Sequence, residues 1–261
     1  MAESATDGVA AVERALAILD AFTDQDSELT LAELAKRTKM YKSTILRLAR
    51  SLESRGYLMR AEDGNFRLGS RLLALGSLYQ RHLNTADVVP SALRAIVDEL
   101  KEGASYYVRD GDKRLCLYRV DAIRSVRDSV HAGDRLPLNV GAAGHVICAF
   151  SAGSGASYAR VRANMHAVSF GERDPEVAAV ACPVFGPGQR LTGALAVSGP
   201  RYRIEAVGAN PILRVLLKHA YQLTVALGGN SEAHAAALAA LEQPQKRSTA
   251  NRPKKSVARA R

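Results

Sequence analysis

Apolar residues recur at helical spacing at Val12, Ala15, Leu16, Leu19 and Phe22 and predict a first amphipathic helix. A polar stretch at 24–28 ends it. Thr30 followed by Glu33 then has the spacing of a capping box, in which a hydroxyl bonds an orphan amide and the carboxylate bonds back. Leu31, Leu34 and Ala35 give that second helix its buried face, and a turn at Lys39-Met40-Tyr41 leads into a third, from Lys42 to about Arg55, stopped by Gly56. On the third helix Ile45, Leu48, Ala49 and Leu52 share one face, while Ser43, Arg47, Arg50 and Ser54 share the opposite one. Two short strand-like runs, 57–61 and 65–68, flank Glu62-Asp63-Gly64, where Asp-Gly favours a tight hairpin turn. A further helix, 70–83, carries Leu72, Leu75 and Tyr79 on one side with Leu73 nearby, a strip suited to packing or to a dimer surface.

From Thr85 the texture changes. Leu93, Ile96, Val97 and Leu100 predict a helix, and "ASYYVRDGDKRLCLYRV" reads as two strands joined at Asp110-Gly111. "DRLPLNVGAAGHVICAF" passes from a strand into a helix, "ACPVFGPGQRLTGALAVSGP" is a second hairpin turning near Pro187-Gly188, and 212–227 is a long apolar helix. This order of strands and helices predicts an α+β fold, a sheet with helices packed on it. The expected organisation is 9–69 as one small domain, 70–84 as a connecting helix, 85–229 as a second domain and 230–261 as a basic, disordered tail.

Charge sharpens the reading only locally. The net charge is +10, but seven Lys or Arg and no acid fall in 243–261, so the remainder of the chain carries only +3. The informative cluster lies between Lys36 and Arg60, with eight cations against the single acid Glu53. A solvated helix face mixes charge signs; the outward stripe of the third helix instead carries two Arg, two small hydroxyls and no acid. Small residues let a helix backbone approach closely, and Arg reaches phosphates or the O6/N7 edge of guanine. Three helices followed by a hairpin with Arg60 and Arg67 on its arms is the layout of a winged helix-turn-helix that binds double-stranded DNA.

The motifs "VERALAILDAF", "LTLAELAKRTKMYKSTILRLARSLESRGYLMRAEDGNFRLGSRLLALG", "GDRLPL", "ACPVF" and "ALAVSGP" occur in one order over roughly 9–229. In these the chain resembles the IclR family of bacterial transcription regulators. The resemblance implies an N-terminal winged helix-turn-helix, a connecting helix, a C-terminal effector-binding domain similar to a GAF fold, and homodimers that often pair into homotetramers. It places Lys42, Ser43, Thr44 and Arg47 at the start of the DNA-reading helix and Gly64 at the wing turn. Arg50, Arg60 and Arg67 join them as candidate DNA contacts from the residues themselves. In the effector domain His145 stands where Lys is common, Ser169 where an acid is usual, and Ala179 where the family has Cys. Ala196 replaces one of two frequent pocket hydroxyls.

Four small residues, Gly141, Ala142, Ala143 and Gly144, open a helix after an apolar strand and offer backbone amides to an anion, although small residues also suit tight helix packing. With Ser169, Cys182 and Ser198 as wall, they form the candidate effector site, for a small organic acid with room for an aromatic one. Ser198 either points its hydroxyl into that site or satisfies a strand-end backbone group. No nucleophilic constellation accompanies His145, which reads as structural or pocket-lining, so neither catalytic residues nor an enzyme are expected. The three cysteines are too widely spaced for a disulfide framework or a metal site and read as buried thiols; no metal or cofactor is implied. No apolar run approaches the roughly 20 residues of a membrane span, and "MAESATDGVA" is unlike a secretory signal, so a cytoplasmic protein is expected. The expected function is sequence-specific DNA binding and transcription regulation tuned by a small acid. The alternatives are a ligand-independent architectural DNA binder or, further off, an enzyme built on the second domain.

Overall fold

The computed structural model describes residues 8–242 apart from 24, 83, 84 and 152. The basic segment 243–261 lies outside the described residues. The chain forms two compact units that divide between residues 83 and 84.

The first unit contains α1 (Ala10–Leu19), α2 (Leu31–Thr38), α3 (Lys42–Ser54), β1 (Leu58–Arg60), β2 (Phe66–Leu68) and α4 (Ser70–His82). The expected capping box is present: the Glu33 amide donates to Thr30 Oγ1 at 3.2 Å and the Thr30 amide to Glu33 Oε2 at 2.8 Å. Lys39 takes the left-handed conformation that turns α2 into α3. β1 and β2 pair antiparallel, and Leu29 makes an isolated antiparallel bridge to Phe66. Ile18, Leu34, Ile45, Ala49, Leu58 and Phe66 close one core. Arg37 ties the α1–α2 turn to α2 by pairing with Asp26, whose carboxyl is held well below the usual carboxylate range by that guanidinium and by Thr23.

One expected face differs. Val12 and Leu16 of α1 are exposed, as are Val9 and, on α4, Leu73 (74%), Leu75, Leu78 and Tyr79. The buried residue of α1 is Ile18, one step from the predicted stripe. Helical periodicity was present, but a single copy of the chain does not cover all of it.

The second unit is a six-stranded, wholly antiparallel sheet in the order β5-β4-β3-β8-β7-β6. Its strands are β3 (Gly103–Asp110), β4 (Lys113–Val120), β5 (Arg135–Pro137), β6 (Ala167–Phe170), β7 (Val177–Phe185) and β8 (Leu191–Pro200). Helix α6 (Ala142–Ser151) covers one face, meeting Tyr107, Ala181, Ala194 and Ala196, with α7 (Ala156–Asn164) packed beside it. The other face is covered by α5 (Val89–Leu100) and α9 (Ala209–Ala226), with the short α8 (Arg201–Val207) leading into α9. Helix α7 and strand β6 were not foreseen in the sequence. Among the described residues no helix is long and apolar enough to cross a membrane.

The tail expected from residue 230 is helical over its described part. Glu232–Glu242 forms α10 against α9. Its His234 is fully buried, places Nε2 2.8 Å from the Pro183 carbonyl and stands edge-on to Phe185. The Asn230 side chain accepts the Glu232 amide, and an alanine-rich run continues the helix. Its many alanines give little contrast between faces, which is why periodicity did not mark it.

Candidate functional site

The outward face of α3 is as the sequence predicts. Lys42, Ser43, Arg47 and Arg50 are exposed, Thr44 is half-buried, and Ile45 and Ala49 turn into the core. Lys42, Arg47 and Arg50 have no ion pair among the described residues, so the two arginines of the stripe and the lysine that opens the helix are uncompensated. Tyr41, at the N-cap of this helix, is 86% exposed and adds an aromatic and a hydroxyl that the sequence reading did not single out.

The two wing arginines differ. Arg60 lies over the Phe66 ring and donates Nε to the Gly64 carbonyl, leaving its charge without a carboxylate. Arg67 donates Nε and Nη2 to Glu28 Oε2 at 3.0 and 2.8 Å, and Asn65 steadies the same carboxylate. Sequence reading grouped the two because the Glu28 contact spans almost forty residues.

In the second unit, antiparallel register aligns Ser169, Ala179, Ser198 and Gly103 across β6, β7, β8 and β3, with Ala167, Ala181, Ala196 and Ser105 as a second row. Side chains this small leave a hollow between the sheet and α6. Its inner cavity, about 30 Å³, is bordered by Tyr107, Arg114, Asp128, Gly141, Ser169 and Ser198, among others. Gly141, Ala142 and Ala143 line it as expected. Gly144 is there for closeness: a Cβ would sit 2.2 Å from the Leu138 carbonyl oxygen. Cys182 is not in this wall. It is one step out of phase with Ala179 and Ala181, so strand alternation turns it to the opposite face, where burial pushes its thiol up.

The amides at the start of α6 are already half used. Glu172 Oε2 accepts the Gly141 N–H at 2.9 Å and stands 2.6 Å from His145 Nε2, and Ser169 Oγ accepts the Ala142 N–H at 3.0 Å. The expectation of four open amides therefore gives way to two, Ala143 and Gly144, without a partner among the described residues.

The charge in the site comes from residues the sequence reading missed. Arg114, 4% exposed, donates Nη1 to the Pro137 and Val140 carbonyls and lies over the Tyr107 ring; its buried Nε has no partner among the described residues. Burial, with the nearby Arg173 charge, pulls its pKa down from the usual arginine range, and burial, with Cys116 beside it, pushes Tyr107 up to about 12. Arg119 bonds Ser105 Oγ, Ser198 Oγ and the Asp128 carbonyl, and pairs with Asp121. Asp128 accepts from Arg173 Nη2 at 2.5 Å and from Ser198 Oγ at 2.7 Å. The Ser198 hydroxyl thus faces the hollow, which resolves the choice left open by the sequence. Cys116, another neighbour, is held as a thiol by burial, which raises it to about 12. No group of side chains able to hold a metal occurs among the described residues.

Comparison with known proteins accounts for both units. The IclR helix-turn-helix domain matches residues 11–62, and the bacterial transcriptional regulator IclR C-terminal domain matches 155–225. The chain is similar to the HTH-type transcriptional regulator KipR of Bacillus subtilis, 27% identical over 72% of this chain and 85% of that protein. It is also similar to the transcriptional repressor IclR of Escherichia coli, 22% identical over 86% and 92%. In fold it is similar to the crystal structure of an IclR homologue of Microbacterium hydrocarbonoxydans complexed with 4-hydroxybenzoate. That likeness has TM-score 0.69 at 19% identity, over 88% of this chain and all of that one. With a helix-turn-helix unit followed by an α+β sheet unit and family models matching both in order, the chain belongs to the IclR family of bacterial transcription regulators and is a regulator with a helix-turn-helix DNA-binding domain.

Proposed function

We propose that this regulator binds its operator as a homo-oligomer in the cytoplasm, and that a small organic acid, aromatic acids included, enters the hollow under α6 and changes operator affinity. The observation that carries the acid is the set of three guanidiniums, Arg114, Arg119 and Arg173, gathered beside a floor of alanine, serine and glycine. The small floor suits a ring, and the cations suit a carboxylate. The 4-hydroxybenzoate bound by the Microbacterium homologue is of this class. Ser169, Ser198, Gly141, Ala142 and Ala143 then line the effector, Gly144 lets α6 pack against the Leu138 carbonyl, and Cys182 acts only as core.

On the DNA side, Lys42, Ser43, Thr44, Arg47 and Arg50 approach the major groove, and Arg60 reaches backbone phosphate. The uncovered apolar positions of α1 and α4 support the homo-oligomer, because soluble monomers rarely leave such strips open. Linkage supplies the mechanism: an acid that prefers one placement of the DNA-binding units shifts operator affinity by the same coupling energy that operator exerts on the acid. Thermal shift with benzoate, 4-hydroxybenzoate and pyruvate, paired with operator mobility shift, tests this reading. The expected result is a raised melting temperature with at least one acid and a changed operator affinity with the same acid. Operator binding indifferent to every stabilising acid would make the chain a DNA binder without this response.

A further inference from the structure

The hollow already contains a carboxylate. Residues 121–134 join β4 to β5 without regular structure, and a loop of that length in a compact domain usually serves a site. Ile123 and Val126 of this strap face solvent, whereas Asp128 turns inward and is only 5% exposed. Its carboxylate spans two elements that border the hollow, Arg173 from the turn after β6 and Ser198 from β8, while its backbone carbonyl takes Arg119.

Asp128 also stands between two spaces. The inner cavity of about 30 Å³ has room for a water or two and for no organic acid. On the other side of Asp128, with Asp174 and Val177 also shared, an outer cavity of about 540 Å³ opens between the strap, the start of α8 and the turn before β7. Asp128 thus borders both spaces while its carboxylate holds Arg173 and the Ser198 hydroxyl.

From this geometry we propose that Asp128 is a built-in occupant of the effector's anionic seat, and that an effector enters by exchanging its own carboxylate for that of Asp128 on Arg173 and Ser198. The proposal rests on the acid-sensing reading above and deepens it by assigning the residue that sets the ligand class. Exchange of like for like leaves the guanidiniums compensated. A neutral ligand would displace a charge and return none, leaving the half-buried Arg173 without the anion it now holds. The seat therefore selects acids over their amides, and the released strap is the element that can report occupancy to the rest of the domain.

The test uses the full chain, its Asp128→Ala and Asp128→Asn variants, and benzoate against benzamide as probes, read by calorimetry and by melting temperature. Asp128→Ala is expected to melt lower than wild type, to regain that loss in benzoate but not in benzamide, and to bind benzoate at least about tenfold more tightly, a change of about 1.4 kcal/mol. Asp128→Asn keeps the shape and one hydrogen bond but loses the charge, so a smaller gain confined to benzoate is expected; it carries the test if the alanine variant does not fold. Equal benzoate affinity in wild type and variants overturns the exchange while leaving acid sensing in place. An equal gain for benzamide shows that Asp128 merely blocks space and overturns the selection. Absence of benzoate binding in all three chains overturns the acid-binding reading for this seat and the exchange with it.

Discussion

Helix α3 and the hollow under α6 both gather arginine, and they treat it in opposite ways. On α3, Lys42, Arg47 and Arg50 stand in water without an ion pair among the described residues. An unpaired surface cation is inexpensive there and remains available to a polyanion, whose condensed counterions it releases. Under α6, Arg114, Arg119 and Arg173 are enclosed to differing degrees and the chain must supply their oxygens: carbonyls of 137 and 140, serine hydroxyls, and Asp128. A cation left bare by the fold is positioned for a partner outside it. A cation compensated by the fold can receive a ligand only by exchange.

The largest effect should come from the enclosed set. Arg114→Ala removes a charged donor from two inward carbonyls, and a hydrogen bond to a charged group contributes roughly 1.5–3 kcal/mol. We expect the C-terminal unit to lose about 3 kcal/mol or more, seen as a lower urea midpoint, while circular dichroism of the N-terminal helices at low denaturant stays unchanged. An unchanged midpoint would mean that Arg114 does not hold the wall of the hollow.

Next comes the bare set. Arg47→Ala should weaken binding to the specific operator by about 1–3 kcal/mol and leave stability within about 0.5 kcal/mol, as for a surface position. Footprinting on operator and mismatched sequences separates the outcomes. If operator preference survives, the reading face of α3 is assigned wrongly, and Tyr41 at its N-cap becomes the stronger candidate.

The two sites also differ in how much of each the sequence exposes. The stripe on α3 is local: four residues within twelve positions, read directly from a period of 3.6. The floor of the hollow was half legible, because alternating small residues in "ACPVF" and "ALAVSGP" mark one face of a strand, but which face depends on phase, and Cys182 was assigned out of phase. The cations of the hollow were illegible. Residues 114, 119, 128, 173 and 198 come from two strands and two loops, and only the sheet order brings them together. Glu172, which accepts the Gly141 amide from 31 residues away, escaped for the same reason, and Ser169 was named as wall but not as the partner of the Ala142 amide.

Truncation probes a smaller boundary effect. Ending the chain after Gly229 removes the buried His234 contact to Pro183 and the edge-on contact with Phe185. A net hydrogen bond of about 1 kcal/mol and a ring contact of about 0.5–1.5 kcal/mol suggest a loss near 2 kcal/mol. Ending it after Glu242 should leave the melting temperature unchanged but lower nonspecific DNA affinity and flatten its salt dependence, since 243–261 carries seven cations and no acid. Equal stability of both truncations would return 230–242 to the tail.

The smallest effect should separate the two arms of the wing. Arg67 gives two donors to one Glu28 oxygen, and Asn65 holds the other oxygen of that carboxylate, so its charge is already neutralised within the fold. To reach a phosphate it would have to surrender this pair, exchanging one anion for another. Such exposed pairs are individually weak, about 0.2–1 kcal/mol, and the exchange is close to neutral. Arg67→Ala should therefore change operator affinity by less than about 0.5 kcal/mol and leave the salt slope unaltered. Arg60 gives up no carboxylate on meeting DNA. Its replacement by alanine should weaken binding evenly across sequences and reduce the salt slope by about one. Glu28→Ala completes the comparison: it frees Arg67 and should steepen the slope, by about one if the guanidinium then reaches a phosphate. Mobility shifts at several salt concentrations read all three variants. A slope reduced by one in Arg67→Ala would show that the Glu28 pair opens on DNA, and the wing would then count with α3 as bare charge.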